Sequence, residues 1–328
     1  MLEAIESGKE HSPVEYVQFG KTGIRVSRAC LGTMTFGKEA DEATSVAIMD
    51  RAAEIGINFF DTANIYVQGK SEEIVGRWLK PHRESFVLAT KVHGFTSDNT
   101  NDRGSSRRNI ILATEKCLKR LQTDWIDLLY LHLWDDNTPL EESLCALDTL
   151  VQQGKVMYVG ISNCSAWQTM KGIAIAEAKG LAPIACTQPM YCLVKRQVEV
   201  EILPLAKAEG LAVCPYNPLG AGLLTGKYLR GESGRLQESK MYEDRFKNPH
   251  YHEIAARFVE YARGKGLSPA ALAVAWVASH PQVTCPILGA RTMEQFNDTL
   301  GFLDIEMTPE WRAEISALSV EPALATDR

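Results

Sequence analysis

Three ionisable side chains close three successive apolar segments of this sequence. They are Asp61, Lys91 and His132, and Tyr66 follows the first of them in the intervening loop. A tyrosine with a pKa of about 10 is a weak proton donor at neutral pH, and a neighbouring ammonium group lowers that pKa by about 1–3 units. Lys91, held charged by Asp61, is the expected ammonium group. A neutral His132 is expected to position a carbonyl oxygen beside Tyr66, so the predicted chemistry is protonation of an oxygen that gains negative charge.

Each of these residues also has a purely structural explanation. Asp61 or Asn64 could cap the next helix or turn. Lys91 could be a solvated charge at a strand end, and a lone His132 is more often structural than catalytic. Together, on successive strands, the residues favour catalysis because several independent coincidences would otherwise have to occur.

The elements that position these residues alternate regularly along the chain. Eight short apolar runs are separated by segments of helical period, and runs that are apolar on both faces indicate parallel strands covered by helices. Eight such units predict an α/β protein built as a closed (β/α)8 TIM barrel. The predicted strands are 29–33, 57–61, 86–91, 126–132, 156–162, 183–188, 212–216 and 284–288.

Several helices carry their own start signals. Thr138 with Glu141 predicts a capping box, and Ser268 followed by Pro269 predicts a cap with proline at the first helical position. The segment 107–121 places apolar residues on one face at three- and four-residue steps. These residues are Ile110, Ala113, Cys117, Leu118 and Leu121.

The whole chain, 1–328, is predicted to form one barrel domain. Its regularity breaks between Tyr216 and Ser268, where a long segment rich in glycine and charge follows the seventh strand. Loops of this size in a compact domain are usually functional. The other predicted parts are a flexible arm over 1–13, an N-terminal β-hairpin over 16–27, a loop over 229–249, an extra helix over 253–263 and a flexible tail over 319–328.

Composition narrows the class of protein. The 328 residues are 45% hydrophobic and 23% charged, as in ordinary globular proteins. A net charge of −6 argues against nucleic-acid and anionic-membrane partners. The sequence shows neither a long apolar span nor the apolar core of a signal peptide, which predicts a soluble cytoplasmic protein. The eight cysteines form no CxxC pair and are expected to be buried free thiols rather than disulfides or metal ligands.

The barrel prediction gathers the polar strand ends in one place. Active sites of such barrels lie at the carboxyl ends of the strands, so residues at those ends are expected to face a common cleft. In chain order they are Thr33 and Met34, Asp61, Lys91, His132, Ser162 and Asn163, Gln188, Tyr216, and Gly289.

Six blocks of the sequence resemble the signature blocks of the aldo-keto reductase superfamily. The blocks are "INFFDTANIY", "SEEIVGRWL", "VLATKV", "DLLYLHLWDDNTPLEESL", "GKVMYVGISN" and "PYNPLGAGLLTGKY". The resemblance runs from about Tyr16 to Ile305 and is strongest to bacterial reductases related to the β subunits of voltage-gated potassium channels. It implies a (β/α)8 barrel that transfers a hydride from NADPH to an aldehyde or ketone without a metal.

The resemblance also implies roles for individual residues. The family's catalytic tetrad falls on Asp61, Tyr66, Lys91 and His132, with Tyr66 as the proton donor. The implied nicotinamide contacts are Ser162, Asn163 and Gln188 to the carboxamide and Tyr191 to the ring. The other implied NADPH contacts are Thr33, Met34, Tyr216, Asn217, Pro218, Leu219, Gly222, Leu224, Lys227, Gly289, Arg291, Gln295 and Asp298.

Within that set, Arg291 resembles the family residue that contacts the adenosine 2′-phosphate, which favours NADPH over NADH. Gln295 and Asp298 match adenine-side positions, whereas Thr299 stands where close relatives often carry asparagine.

The substrate is less defined by the sequence. Phe36, His93, Trp134 and Met34 are expected to line the mouth of the barrel, where an aromatic wall would accept hydrophobic carbonyl compounds; barrel-rim packing explains them equally well. The sequence leaves open the physiological substrate, the direction and stereochemistry of the reaction, and whether the chain is a monomer or a homo-oligomer.

The sequence is compatible with two other functions. One is an NADPH-binding regulatory or channel-partner subunit with negligible turnover. His132 argues against it, because the channel subunits that this chain resembles commonly carry asparagine there. The other is a Schiff-base aldolase that uses Lys91. Asp61 argues against that function, because a counter-ion stabilises the ammonium form that an imine-forming lysine must lose.

Overall fold

The structure, a computed structural model, describes residues 14–324 and 326. It begins with an antiparallel hairpin of β1 (Tyr16–Gln18) and β2 (Arg25–Ser27), which confirms the predicted hairpin. The buried ring of Phe19, just after β1, meets Phe59 edge-on at 5.7 Å between centroids. Gly20 has a φ of 55°, and a Cβ there would lie 2.6 Å from the backbone nitrogen of Ala212. The hairpin therefore packs closely against the amino-terminal ends of the barrel strands.

Eight parallel strands of the described chain form one sheet in sequential order, with the last strand beside the first. Thr284 N–H donates to the Val213 carbonyl at 2.9 Å, and Ile287 N–H donates to the Pro215 carbonyl at 2.9 Å, which joins the two remaining edges. The predicted (β/α)8 barrel is thus confirmed. The strands are β3 (Cys30–Gly32), β4 (Phe59–Asp61), β5 (Val87–Val92), β6 (Ile126–Leu131), β7 (Val156–Ser162), β8 (Ile184–Gln188), β9 (Ala212–Val213) and β10 (Ile287–Leu288).

Several strands are shorter than predicted, and two of them share one physical reason. The predicted strand over 212–216 keeps only β9, and the one over 284–288 keeps only β10. Each predicted segment contains a proline, Pro215 or Pro286. A proline cannot donate to a strand ladder, so regular pairing stops beside it.

The described chain also contains twelve α-helices. They are α1 (Glu42–Glu54), α2 (Lys70–Leu79), α3 (Arg107–Leu121), α4 (Leu140–Gln152), α5 (Ala166–Lys179), α6 (Ile202–Glu209), α7 (Arg235–Glu238), α8 (Lys240–Phe246), α9 (Pro249–Gly264), α10 (Pro269–Ala278), α11 (Met293–Leu300) and α12 (Pro309–Ser316). All five apolar residues predicted for the inner face of α3 are buried. The predicted extra helix is α9, and the Ser268 side chain caps α10 as expected. No helix within residues 14–324 is long and apolar enough to cross a membrane.

The predicted capping box at α4 is wrong. The N-cap is Pro139, and the helix start has no side-chain cap. The Thr138 hydroxyl instead donates to Asp135 at 2.8 Å, and the same aspartate accepts the backbone N–H of Asn137 at 3.0 Å. This local turn around Asp135 competes for the hydroxyl that a capping box would have used.

The segment after β9 is more ordered than the predicted loop over 229–249. It folds into the two short helices α7 and α8, and it buries Leu236, Tyr242 and Phe246. At the two ends of the chain, the predicted flexible arm over 1–13 lies outside the described residues. In the predicted tail, the Ser319 hydroxyl donates to the Leu193 carbonyl at 2.6 Å.

The core has two layers. Inside the barrel lie Phe59, Leu128, Tyr130 and four buried cysteines. Between the sheet and the helices lies a larger apolar cluster that includes Phe60, Leu129 and Trp276. Since both faces of the strands are filled, polar side chains gather where the strands end.

Candidate active site

A cleft with a volume of about 1470 Å³ opens at the carboxyl ends of the strands. Its walls come from strand ends, from the segment after β9 and from the start of α11. The predicted site residues that line it are Thr33, Met34, Asp61, Tyr66, His132, Ser162, Asn163, Gln188, Tyr216, Asn217, Pro218, Leu219, Gly222, Lys227, Gly289, Arg291, Gln295 and Asp298. The structure therefore brings together most of the residues that the sequence singled out.

A buried ion pair lies at the base of the cleft. The Lys91 ammonium, which is fully buried, donates to an oxygen of Asp61 and to the Thr62 carbonyl at 2.8 Å. It also contacts the Tyr66 hydroxyl at 3.2 Å. The second oxygen of Asp61 accepts from Gln188 Nε2 at 2.9 Å. Asp61 thus holds Lys91 against the phenol of Tyr66, as the sequence predicted.

The charge state of this group follows from its surroundings. Burial alone would lower the pKa of Lys91, but the carboxylate of Asp61 and the hydroxyl of Tyr66 more than offset it, so the pKa is raised and the ammonium persists. Burial raises the pKa of Tyr66, and the opposing effect of Lys91 is smaller. Lys91 lowers the pKa of Tyr66 as expected, but desolvation of the phenolate outweighs this effect, so the pKa is raised overall. Tyr66 therefore keeps its proton at neutral pH.

His132 completes the predicted catalytic group. Its ring meets the ring of Tyr66 nearly edge-on, with centroids 6.0 Å apart. Burial, together with the charges of Lys91 and His93, lowers the pKa of His132 to about 3. The imidazole is consequently neutral at physiological pH and can donate or accept one hydrogen bond.

The backbone between Asp61 and Tyr66 is fixed at several points. Asn64 N–H donates to the Lys91 carbonyl at 3.1 Å. The Asn64 side chain is buried and donates to the Gly94 carbonyl at 3.3 Å, while its Oδ1 atom has no hydrogen-bond partner. The sequence assigned Asn64 only to a turn; its burial and its bond to the loop after β5 make it a support for Tyr66.

Tyr66 is also followed by an unusual turn. Val67 and Gln68 have φ values of 48° and 54°, in the left-handed region, and Gly69 follows at 91°. A β-branched residue is strained in this region. The turn reverses the chain directly after the predicted proton donor and leads into α2.

The side of the cleft next to the tetrad carries amide and hydroxyl groups. The Ser162 hydroxyl donates to the Gln188 carbonyl at 2.9 Å. Asn163, which has a φ of 55°, donates to the His132 carbonyl at 2.9 Å and accepts from the Tyr216 hydroxyl at 2.7 Å. These groups can match the donors and acceptors of a carboxamide.

Tyr191 does not lie in the cleft, which corrects its predicted role in stacking. Its ring packs on Trp276 at 5.2 Å, and its hydroxyl donates to Glu199 at 2.5 Å and accepts from Arg312 at 2.8 Å. The ring is fully buried on the outer side of the barrel wall. Among the described tyrosines, Tyr216 is the one at the end of a barrel strand that lines the cleft beside Asn163.

The segment over 217–227 lines the next part of the cleft. Asn217 and Ala221 are left-handed, and the Asn217 side chain accepts the Ala221 N–H at 2.6 Å. Leu224, predicted as a contact, is fully buried and does not line the cleft. Lys227 does line it and has no carboxylate within ion-pair distance in the described chain. Burial and the charge of Arg291 lower its pKa.

The far end of the cleft lies at the start of α11. Arg291 lines it and forms two hydrogen bonds to Glu238, of 3.2 and 2.6 Å. Gln295, Asp298 and Thr299 line the same end. Asn297, which the sequence did not single out, also lines it, and its Oδ1 atom is buried without a partner.

These features fit a phosphate-bearing dinucleotide. The cleft is long enough to run from the tetrad to α11, and Lys227, Arg235 and Arg291 cluster in its outer half, so that an anion would relieve their mutual repulsion. When bound, a nicotinamide cofactor supplies the hydride equivalent for carbonyl reduction.

The predicted substrate residues need correction. Phe36 is fully buried in the core. Trp134 lies outside the cleft, where it packs on Trp167 with ring centroids 5.5 Å apart. His93 is held by Ser105 at 3.1 Å and does not line the cleft either. The cleft residues beside the tetrad that the sequence did not single out are Ile65, Leu133, Met241, Tyr242 and Arg245.

Comparison with known proteins identifies the class to which this barrel and cleft belong. A family model described as the aldo/keto reductase family matches residues 28–320. The chain belongs to this family, as the sequence blocks predicted. It is accordingly an oxidoreductase of a kind that acts on carbonyl groups, and the family generally uses nicotinamide cofactors.

Three similar proteins show which members of the family this chain resembles. The chain is 42% identical over 311 residues to the uncharacterized oxidoreductase YrpG of Bacillus subtilis (strain 168), covering 90% of this chain and 93% of that protein. It is 34% identical over 308 residues to norsolorinic acid reductase of Aspergillus flavus, covering 89% and 78%. It is 33% identical over 319 residues to a probable voltage-gated potassium channel subunit beta of Oryza sativa subsp. japonica, covering 93% and 96%.

Proposed function

We propose that this chain is an NADPH-dependent reductase that converts a small aldehyde or ketone to an alcohol, with Tyr66 as the proton donor. The observation that carries the proposal is the contact of 3.2 Å between the Lys91 ammonium and the Tyr66 hydroxyl, with Lys91 fixed by Asp61. A protonated tyrosine beside a permanent cation is suited to give its proton to a carbonyl oxygen.

Each of the four tetrad residues has its own role in the proposed reaction. Tyr66 donates its hydroxyl proton to the substrate oxygen, and the Lys91 ammonium stabilises the phenolate that remains. Asp61 keeps Lys91 charged and in place. Neutral His132, whose ring faces Tyr66, orients the carbonyl oxygen by a hydrogen bond.

The remaining lining residues would hold the cofactor. Ser162, Asn163 and Gln188 suit the carboxamide, and Tyr216 suits the ring in place of Tyr191. Lys227 suits the phosphate groups, and Arg291 suits a 2′-phosphate, which is the reason for proposing NADPH. Gln295 and Asp298 line the same end of the cleft as Arg291 and suit the adenosine.

A cytoplasmic location belongs to the same proposal. It is supported by the spacing of the eight cysteines, which form no CxxC pair and show none of the regular spacing of a disulfide framework.

Turnover of Tyr66→Phe tests the proposal. The purified chain is expected to oxidise NADPH in the presence of reactive aldehydes, and Tyr66→Phe is expected to lower kcat roughly 10²- to 10⁴-fold. NADPH affinity, measured by fluorescence titration, is expected to stay nearly unchanged. Tyr16→Phe is the matched control, since Tyr16 lies on β1 and its hydroxyl bonds the Gly56 carbonyl, away from the cleft. Full activity of Tyr66→Phe would overturn the assignment of the proton donor.

A regulatory NADPH-binding subunit is the second proposal, favoured by the similarity to the potassium channel subunit of Oryza sativa. Tight NADPH binding with no turnover on a broad panel of aldehydes and ketones would support it over the reductase. The aldolase is disfavoured, because Lys91 has three oxygen partners that stabilise its ammonium form.

A further inference from the structure

Arg245 is a cation in the cleft without an acidic partner. It lies on α8, is half-buried and lines the cleft, and in the described part of the chain no carboxylate oxygen lies within ion-pair distance of its guanidinium. The acidic residues next to it pair elsewhere: Glu243 and Asp244 each lie 3.4 Å from the Lys240 ammonium. The charge of Arg245 is therefore available to a ligand.

Tyr242 has two arginines near its ring. The guanidinium of Arg235 lies 5.5 Å from the centroid of the Tyr242 ring, and that of Arg245 lies 5.7 Å from it. Arg235 belongs with the cations of the outer cleft, because its charge acts on Lys227 together with that of Arg291.

Arg245 lines the same cleft as Tyr216, and its charge acts on that residue. Burial raises the pKa of Tyr216, the charge of Arg245 opposes this rise, and Tyr242 and Tyr66 add to it. Arg245, Tyr242 and Tyr66 line the same cleft as Tyr216, whose hydroxyl is bonded to Asn163 at 2.7 Å. The Tyr242 hydroxyl contacts the sulfur of Met34 at 3.8 Å, which fixes α8 against the end of β3.

We infer that Arg245 binds a carboxylate on the substrate, so that the preferred substrates are oxo acids, meaning aldehydes or ketones that also carry a carboxylate. This inference rests on the proposed reductase function. A guanidinium presents a planar fork of donors that matches a carboxylate, and half-burial strengthens such a contact. Ile65, Leu133 and Met241 line the cleft nearby and suit the apolar portion between the two polar ends of the substrate.

The reaction balances with the carboxylate unchanged. The carbonyl carbon gains a hydride, the carbonyl oxygen gains the proton of Tyr66, and the reduced nicotinamide cofactor is oxidised. The carboxylate neither gains nor loses electrons, so Arg245 is a specificity-determining residue.

A matched pair of aldehydes tests the inference. 4-Carboxybenzaldehyde carries the charge, and methyl 4-formylbenzoate has the same ring and carbonyl without it. The wild-type chain is expected to reduce the acid with the lower KM. Arg245→Gln is expected to raise the KM for the acid roughly 10- to 100-fold and to leave kcat, the KM for the ester and the KM for NADPH nearly unchanged.

Two further variants control the experiment. Lys240→Gln removes one positive charge from the same helix at a side chain that is 76% exposed and outside the cleft, and it is expected to change neither KM. Arg245→Lys keeps the charge and is expected to retain part of the preference for the acid, so a general defect of the Gln variant is recognised. Calorimetric binding of 4-(hydroxymethyl)benzoate gives a readout apart from turnover and is expected to weaken with Arg245→Gln.

The possible outcomes distinguish a failure of the Arg245 inference from a failure of the proposed reductase function. Reduction of both aldehydes with equal KM in the wild type and in Arg245→Gln overturns the inference and leaves the reductase proposal standing. A raised KM for NADPH in Arg245→Gln, with equal losses on acid and ester, also overturns the inference, since Arg245 would then serve the cofactor. No reduction of any carbonyl compound overturns the proposed function and the inference with it.

Discussion

The guanidinium of Arg291 is held by the carboxylate of Glu238 through hydrogen bonds of 3.2 and 2.6 Å, although the two residues are 53 positions apart. Glu238 ends α7, in the segment after β9, and Arg291 precedes α11. The pair therefore ties that segment to the end of the cleft at the start of α11. A 2′-phosphate that binds Arg291 must compete with Glu238 for the same donors.

This competition predicts opposite effects of the two partners on NADPH. Arg291→Ala is expected to weaken NADPH binding by about tenfold or more, since a charge-assisted contact contributes about 1.5–3 kcal/mol, and to affect NADH little. Glu238→Gln is expected to tighten NADPH binding, because the competing anion is removed. Fluorescence titration with both cofactors measures these changes.

Glu253→Gln is the charge control, because Glu253 is exposed on α9 and pairs with His250. It is expected to leave both cofactor affinities unchanged. Equal losses of NADPH and NADH in Arg291→Ala would show that Arg291 does not recognise the 2′-phosphate.

The lowered pKa of His132 predicts a defined loss of stability in acid. Burial and Lys91 lower this pKa to about 3 in the folded chain, while the unfolded value is about 6.5. Below about pH 6.5 the unfolded state binds a proton that the folded state does not, so folding stability falls as the pH falls through this window. Near pH 5 the contribution reaches up to about 2 kcal/mol.

Urea unfolding of the wild type and His132→Gln checks this expectation. The free energy of unfolding of the wild type is expected to fall more between about pH 7 and pH 5 than that of the variant, because the glutamine does not titrate. A parallel decline of both proteins would show that His132 takes up its proton in the folded state.

A site residue can be located from the sequence when it stands at the end of a predicted strand. Asp61, Lys91 and His132 could be located because apolar runs mark the strands and the barrel brings their ends together. Tyr66 followed from its position in the loop. Their convergence needed only the fold class.

Residues whose side-chain direction depends on packing could not be located in this way. Phe36 and Tyr191 each follow the end of a barrel strand along the chain, yet both side chains are fully buried in the core. Tyr242 and Arg245 were missed because α7 and α8 are too short to show a helical period, and only tertiary packing places them over the cleft. The sequence likewise gave no sign that the segment after β9 would reach Arg291.

The turn after Tyr66 predicts a stabilising substitution. Val67 has φ 48° and ψ 43°, a left-handed conformation that costs a β-branched residue about 1–2 kcal/mol. Glycine adopts it freely but loses about 0.5–1 kcal/mol of backbone entropy on folding. Val67→Gly is therefore expected to raise the free energy of unfolding by up to about 1.5 kcal/mol, as measured by urea denaturation.

Val67→Ala serves as the comparison, because alanine retains the Cβ atom and most of the left-handed strain. It is expected to stay close to the wild type or to fall below it. A large loss of stability in Val67→Gly would indicate that packing of the valine side chain outweighs the strain.

The buried pair of Asp61 and Lys91 predicts strong non-additivity. Removing one partner leaves the other charge buried and uncompensated, which typically costs about 3–5 kcal/mol, whereas replacing both removes the charges together. Asp61→Asn and Lys91→Met are each expected to lower stability by several times the loss seen in the double variant. Urea unfolding of the wild type, the two single variants and the double variant gives the coupling energy between the two sites.

All three variants are expected to lose reductase activity, since Tyr66 then lacks a properly held cation. Additive stability losses would mean that other groups compensate each charge when its partner is removed. The other contacts are Gln188 for Asp61 and the Thr62 carbonyl for Lys91.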